Sequence, residues 1–385
     1  MRLSMAAKKS FLSERMGGIE KTLIRQIYDR ADSSCINLGL GELSFPTPRP
    51  ILRHVKENID AWKLGYTPNA GFQELRELIA ANSGLDVAAD QVCVTIGAEE
   101  AVFAALMVTI NPGDEVAVPD PGFPAYTSIV KMAGGVPIPY PLYRENRFSL
   151  KAVDLEKILT DRTKIVIINS PNNPSGAVYD REQLKTLAGL LDERDLMALS
   201  DEVYRDIFFD QKPDSIGRYL RNCVIVNSLS KTFSMTGWRL GWCIAPGEIC
   251  RSITVFQQLS VTCPAVVSQQ AAIFALKGFA EQDRQGYQEE LRKRRDLAMK
   301  CFDRYTDIPY LKPEGTFYLF VDISGKMRRT MSSLDIAVRL LLEKKVVTIP
   351  GTAFGRLGEG YLRISFAPEA DQIEEGIRRI GQFFS

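Results

Sequence analysis

At 385 residues the chain is long enough to bury two cores, and 45% hydrophobic with 25% charged residues is the make-up of an ordinary globular protein. A formal net charge of +1 argues against a nucleic-acid-binding field or a polybasic membrane patch. His54 is the only histidine, so neither a His-based metal site nor a Ser-His-Asp triad is expected; any base must be Lys, Asp, Glu, Tyr or Cys.

The opening stretch MRLSMAAKKSFLSERMGG has no apolar h-region, so no secretory leader is expected. The longest apolar helix candidate, 101–110, is too short to span a bilayer. Seven cysteines without a CxxC pair suggest neither a disulfide framework nor a zinc site, and fit reduced thiols in a cytoplasm.

In chain order, VCVTI at 92–96 reads as a strand and an apolar helix opens at Ala98. EVAV at 115–118 is the next strand, a Pro/Gly turn leads into a helix holding 127–132, and 136–139 is a short strand. KIVII at 164–168 is another strand, followed by a helix with Leu184, Leu187, Ala188 and Leu191 on one face. Strands at 196–199 and 223–226 complete a strand-helix alternation that implies a mainly parallel sheet covered on both faces. One long charged helix is expected over 279–305, and its densest run, Arg292-Lys293-Arg294-Arg295, reads as a solvated face. Strands at 315–321, 346–349 and 361–365 then alternate with helices at 333–343 and 371–383. The expected fold is α/β, with a large domain over 45–280 and a smaller α+β domain from 1–44 and 281–385.

Ligands of parallel sheets bind outside the carboxyl ends of the strands. Gly97, Ala98 and Glu99 follow the first predicted strand; Pro121, Gly122, Phe123 and Tyr126 follow the second. NSPNNPSG with Asn173 follows 164–168, Asp201 and Tyr204 follow 196–199, and Ser228, Lys231 and Arg239 follow 223–226. A partly desolvated lysine has a lowered pKa and becomes a nucleophile able to form a Schiff base. Pyridoxal 5'-phosphate needs such a lysine and a carboxylate at its pyridinium nitrogen, a role open to Asp201. Its phosphate needs a helix N-terminus and a cation, which Gly97-Ala98-Glu99, Ser228 and Arg239 offer. Phe123 suits the ring face, and Asn173 and Tyr204 suit its phenolic oxygen.

The sequence resembles the class I/II aminotransferases of fold type I. The resemblance runs from LGLGELSFPTP at Leu38 through GYTPNAG, TIGAEEA, PDPGFPAY, NSPNNPSGAVY, SDEVY and SLSKTFSMTGWRLGW to YLRISFA, in family order. GELSFPTP departs from the family, which has a Pro-Asp pair after the glutamate. The resemblance implies that Lys231 carries the cofactor and acts as base, that Asp201 pairs with the ring nitrogen, and that Val203 packs on the ring opposite Phe123. Asn173 and Tyr204 would touch the ring oxygen, while Gly97, Ala98, Glu99, Ser228 and Arg239 hold the phosphate. Tyr66 would reach the neighbouring subunit's phosphate in a homodimer. Arg363, assisted by Asn173 and the Gly41 backbone, would take the substrate carboxylate. The implied reaction moves an amino group between an L-amino acid and a 2-oxo acid; the alternative inside the family is a C–S lyase or related synthase.

Each of these residues also has a plainer reading: Lys231 as a snorkelling surface lysine, Asp201 as a cap, Arg239 and Arg363 as ion-pair residues, Phe123 and Tyr204 as core. Ser228-Leu229-Ser230-Lys231 matches S-x-x-K of penicillin-recognising acyl enzymes, but K-T-G is absent. GTAFGRLGEG at 351–360 lacks the ending of a P-loop and reads as a turn near the site rim.

Overall fold

The computed structural model describes residues 11–328 and 330–385. The opening residues on which the leader expectation rests, 1–10, lie outside them. In chain order the strands are β1 (Ile36–Asn37), β2 (Val92–Thr95), β3 (Glu115–Asp120), β4 (Val136–Pro141), β5 (Thr163–Asn169), β6 (Met197–Asp201), β7 (Cys223–Ser228), β8 (Gly241–Ile244), β9 (Tyr318–Asp322), β10 (Val346–Val347), β11 (Ile349–Pro350) and β12 (Tyr361–Ser365).

β2 to β8 form one sheet in the order β2-β8-β7-β6-β5-β3-β4, parallel except for β8, which runs against both its neighbours. β8 was hidden in sequence because GWRLGW reads as the tail of a loop motif. Both faces of the sheet are covered, which is why its strands are nearly continuous apolar runs. On β5, Ile165 and Ile167 enter the core cluster on one face while Val166 and Ile168 enter the cluster on the other. β4 is the partly exposed edge; its prolines 137, 139 and 141 donate no hydrogen bond to a further strand.

The remaining strands make two small sheets, antiparallel β11-β12-β9 and parallel β1-β10. The expected strand at 346–349 is therefore two short strands that serve different sheets. The long helix spans Glu281–Tyr305 and starts two residues later than expected, because Gly278 at φ 89° breaks the helical path before it. It packs on the helix Ala370–Phe384, and residues Ile27, Leu38 and Leu43 from the N-terminal part join the same apolar cluster. Among the described residues no helix is long and apolar enough to cross a membrane.

The solvated face expected for Arg292–Arg295 holds for Lys293, which is exposed, and is overturned for Arg294 and Arg295. Arg294 and Arg295 are only 3% and 4% exposed. Arg294 donates to the carbonyls of Ala367 (2.5 Å) and Pro368 (2.8 Å) and to Ser44 Oγ (2.7 Å), pairs with Glu290 and Glu369, and lies over the Phe45 ring. Arg295 pairs with Asp296 and lies over the Phe209 ring at 4.4 Å. Aromatic rings and carboxylates receive both guanidinium groups, and main-chain carbonyls receive that of Arg294 as well.

Candidate functional site

A cavity of about 260 Å³ opens at the carboxyl ends of the parallel strands and faces the β9-β12 sheet. Lys231, Asp201, Tyr204, Asn173, Phe123 and Val203 line it, as do Ala98, Glu99, Ser228, Arg239, Gly41 and Arg363. Gly97 stands directly behind Arg239. Tyr66 does not line it; its side chain is 91% exposed on the surface. Tyr126, which follows a predicted strand end, and Ile24 also line it, as does Tyr318, which carried no site signal in the sequence.

One end is a turn built for an anion. β2 stops at Thr95, whose hydroxyl donates to the Gly97 carbonyl at 2.9 Å, and the helix Ala98–Thr109 begins at once. Gly97 holds φ 109°, a conformation that disfavours any side chain, and a Cβ there would run into the Arg239 guanidinium. The first-turn N–H groups of that helix have no intrahelical acceptor, and their dipole favours negative charge. A Cβ on Gly241 would sit 2.5 Å from the Ala98 nitrogen, so β8 presses Arg239 against this turn.

β7 ends at Ser228, whose hydroxyl caps the one-turn helix Leu229–Thr232 and so fixes the base of Lys231. Lys231 Nζ donates to the Gly41 carbonyl at 2.6 Å. Burial pulls its pKa from the ordinary 10.5 down to about 8; Glu42 and Asp201 oppose the shift, while the Arg363 and Arg239 cations add to it. β6 ends at Asp201. Its carboxylate accepts from the Tyr126 hydroxyl (2.6 Å) and the Val203 amide (3.2 Å), and its carbonyl from Asn169 Nδ2 (3.0 Å). Burial raises the Asp201 pKa, and the Tyr126 hydrogen bond only partly offsets this; a cation placed beside it would relieve the desolvated charge.

The other end is a buried arginine. Arg363 is 2% exposed, donates to Asn173 Oδ1 (2.9 Å) and to the Gly39 carbonyl (2.6 Å), and leaves Nε without a partner. Its guanidinium lies 4.2 Å from the Tyr318 ring centroid and 5.0 Å from that of Phe354. No carboxylate pairs with it among the described residues. Burial lowers its pKa, yet a guanidinium stays charged in protein, so the site holds a cation prepared for a carboxylate. The 351–360 turn supplies Phe354 and otherwise packs away from the cavity, with the Leu357 amide donating to Asp120 at 2.9 Å. The Tyr204 and Tyr318 hydroxyls are 3.0 Å apart.

The family model for aminotransferases of class I and II matches residues 33–380. The chain belongs to the class I and II aminotransferases. It is 37% identical over 383 residues to aromatic-amino-acid aminotransferase 2 of Thermococcus litoralis, covering 96% of this chain and 97% of that one. It is also 37% identical, over 386 residues, to the aspartate aminotransferase of Pyrococcus abyssi, with 96% and 97% covered. The crystal structure of the Thermotoga maritima aspartate aminotransferase superposes with a TM-score of 0.90 at 32% identity, covering 97% of this chain and 99% of that one. The fold is aminotransferase fold type I, and the protein is a transaminase dependent on pyridoxal phosphate; these relatives support that reaction and not the C–S lyase alternative. Its donor set suits that cofactor: a glycine-opened helix N-terminus beside a guanidinium, a buried carboxylate held by a phenol, and an amine with a lowered pKa.

Proposed function

We propose that the protein moves the α-amino group of an L-amino acid to a 2-oxo acid, with the cofactor carried on Lys231 and the substrate carboxylate held by Arg363. One observation carries this reading: a buried guanidinium with no carboxylate partner among the described residues faces the same cavity as an amine whose pKa is brought down to about 8.

The first-turn N–H groups at Ala98 and Glu99, with Gly97, Ser228 and Arg239, hold the phosphate. Asp201, oriented by Tyr126, stabilises positive charge at the ring nitrogen, and Phe123 and Val203 flank the ring. Asn173 and Tyr204 bond the ring oxygen. Arg363 forks onto the substrate carboxylate while Asn173 and the Gly41 backbone orient it. When bound, pyridoxal phosphate supplies the electron-withdrawing ring that acidifies the substrate α-carbon. The Lys231 amine would take the proton from the substrate α-carbon as general base and give it back as general acid. Gly41 is the fixed point for that amine, because its carbonyl already accepts the Nζ hydrogen bond.

The exposed Tyr66 serves the phosphate of a neighbouring copy in a homodimer, which accounts for a large phenol left outside its own cavity. Of the expected domains, 45–280 is the cofactor domain and 1–44 with 281–385 the smaller one, of which 1–10 and 329 lie outside the described residues. The scattered, unbridged thiols fit a cytoplasmic protein.

The test is a half-reaction screen. Single amino acids are added to the holoenzyme without an oxo acid, and the visible band of the cofactor is followed. Loss of the band with release of one oxo acid per site supports the proposal. Ammonia and pyruvate from cysteine-type substrates, with no oxo acid aminated, would overturn it. For Tyr66, mixing Lys231→Ala and Tyr66→Phe chains should restore activity above either parent; no gain on mixing removes the shared site.

A further inference from the structure

Tyr318 stands where the two ends of the cavity meet. On the β9-β12 ladder it is the register partner of Ser365, so it shares a sheet face with Arg363, two residues along β12. Its ring carries the Arg363 guanidinium at 4.2 Å. Its hydroxyl reaches over the backbone of Gly41, where a Cβ would sit only 2.6 Å away, and meets the Tyr204 hydroxyl at 3.0 Å. Both phenols are buried, at 1% and 4% exposure, and neither hydroxyl has another hydrogen-bond partner among the described residues.

Two hydroxyls that share one hydrogen bond leave one proton over. If Tyr318 donates, the Tyr204 proton is left for the cavity; if Tyr204 donates, that proton is used up inside the wall. The groups facing the pair decide the order. Arg363, on β12, lies over the Tyr318 ring and makes its hydroxyl the stronger donor. At Tyr204 the Arg363 cation and the Asp201 carboxylate at the end of β6 act in opposite senses, with Arg363 the larger, so it is the direct contact of Arg363 with the Tyr318 ring that sets the order. Lys231 stands across Gly41, with its proton given to the Gly41 carbonyl.

We propose that Tyr318 is a positioning residue: it donates its hydroxyl proton to Tyr204, directs the Tyr204 proton at the cofactor's ring oxygen, and transmits to that bond the charge state of the Arg363 site. A substrate carboxylate arriving on Arg363 neutralises the cation over Tyr318, weakens its donation and so weakens the Tyr204 bond to the ring. The carboxylate end of the cavity thereby tunes the proton affinity of the cofactor end through the Tyr318–Tyr204 pair, beside the direct hydrogen bond of Arg363 to Asn173. The inference rests on the placement of Tyr204 at the ring oxygen and of Arg363 at the substrate carboxylate.

The experiment is a pH titration of the visible band of holoenzyme for wild type, Tyr204→Phe and Tyr318→Phe, with and without an amine-free carboxylate (succinate or 3-phenylpropanoate). Removing a donor to the ring oxygen raises the midpoint. Tyr204→Phe should raise it by about one unit and Tyr318→Phe by about half a unit, the sizes expected for losing and for weakening one such bond. Phenylalanine keeps a ring under Arg363, so KM for the amino donor should stay within about twofold in Tyr318→Phe. Saturating carboxylate should raise the wild-type midpoint, and raise it less in both variants. A Tyr318→Phe midpoint equal to wild type beside a shifted Tyr204→Phe overturns this inference and leaves the assigned site standing. An unmoved Tyr204→Phe overturns the placement of Tyr204 and this inference with it. Should Tyr318→Phe not retain cofactor, the carboxylate arm decides between wild type and Tyr204→Phe: an equal shift in both, or none in wild type, overturns the link to Arg363.

Discussion

Gly97, Ala98 and Glu99 follow one another in the chain and make the anion-binding turn among themselves, with Arg239 pressed on by β8. Arg363 instead takes its two partners from Asn173, 190 residues away, and Gly39, 324 residues away. One end of the cavity is thus a product of local turn chemistry, and the other of tertiary assembly. The first needs a glycine at a left-handed φ and a helix start, and tolerates little else. The second needs the β9-β12 sheet, the Gly39–Gly41 segment and the NSPNNPSG turn to arrive together. A cofactor end that forms locally can be shared by many enzymes, while an assembled carboxylate end is open to variation.

Perturbing each end separately should separate their functions. Lys231, where the ends meet, gives the largest effect: Lys231→Ala should lose the visible cofactor band and slow the half-reaction by about a thousandfold or more, as single-turnover absorbance would show. Next is the pH dependence of cofactor capture by the cofactor-free protein. The nucleophile is the neutral amine, and Lys231 is pulled down to about 8. Capture should therefore be flat above that value and slow about tenfold per pH unit below it, measured by stopped-flow absorbance. The same shift fixes a sign for stability. Between about 8 and 10.5 the unfolded chain holds a proton on Lys231 that the native state does not, so this group makes the cofactor-free protein more stable as pH rises through that window. Below about 8 its destabilisation is at full size, and Lys231→Met should raise Tm there and lose the advantage near 10.5.

At the carboxylate end, Arg363→Lys should lower kcat/KM for the amino donor about thirtyfold through KM, with cofactor affinity unchanged, because a forked pair becomes a single contact. At the phosphate end, Gly97→Ala should weaken cofactor binding about tenfold while leaving the donor KM, measured at saturating cofactor, where it was. If both variants moved both constants alike, the two ends would be a single unit.

The same contrast explains what could be read from the amino acids alone. Asp201, Lys231 and Ser228 were legible because each follows an apolar strand run by a few residues, and strand ends are where a parallel sheet binds. Tyr126 was placed at a strand end but its bond to Asp201 was not legible, and Tyr318 was not legible at all, because a phenol on a helix or strand has the periodicity of a core residue whether or not its hydroxyl serves a site. β8 escaped because its four residues, Gly241–Ile244, carry too short a pattern to separate from the motif before them. The RKRR run misled because charge spacing on a helix does not reveal which ring or carbonyl waits opposite; Phe45, Phe209 and Ala367 lie far away in the chain.

Arg294 carries that lesson into protein engineering. Its guanidinium spends its donors on Ser44, Ala367, Pro368, Glu290 and Glu369, and rests on Phe45. A chimera that transplanted residues 281–385 alone would keep the charge and forfeit the hydroxyl and the ring that receive it. The C-terminal piece is therefore no portable cassette: it can be exchanged between homologues only with the strip around 38–45 in tow, the strip that also brings Gly39 and Gly41 to the cavity.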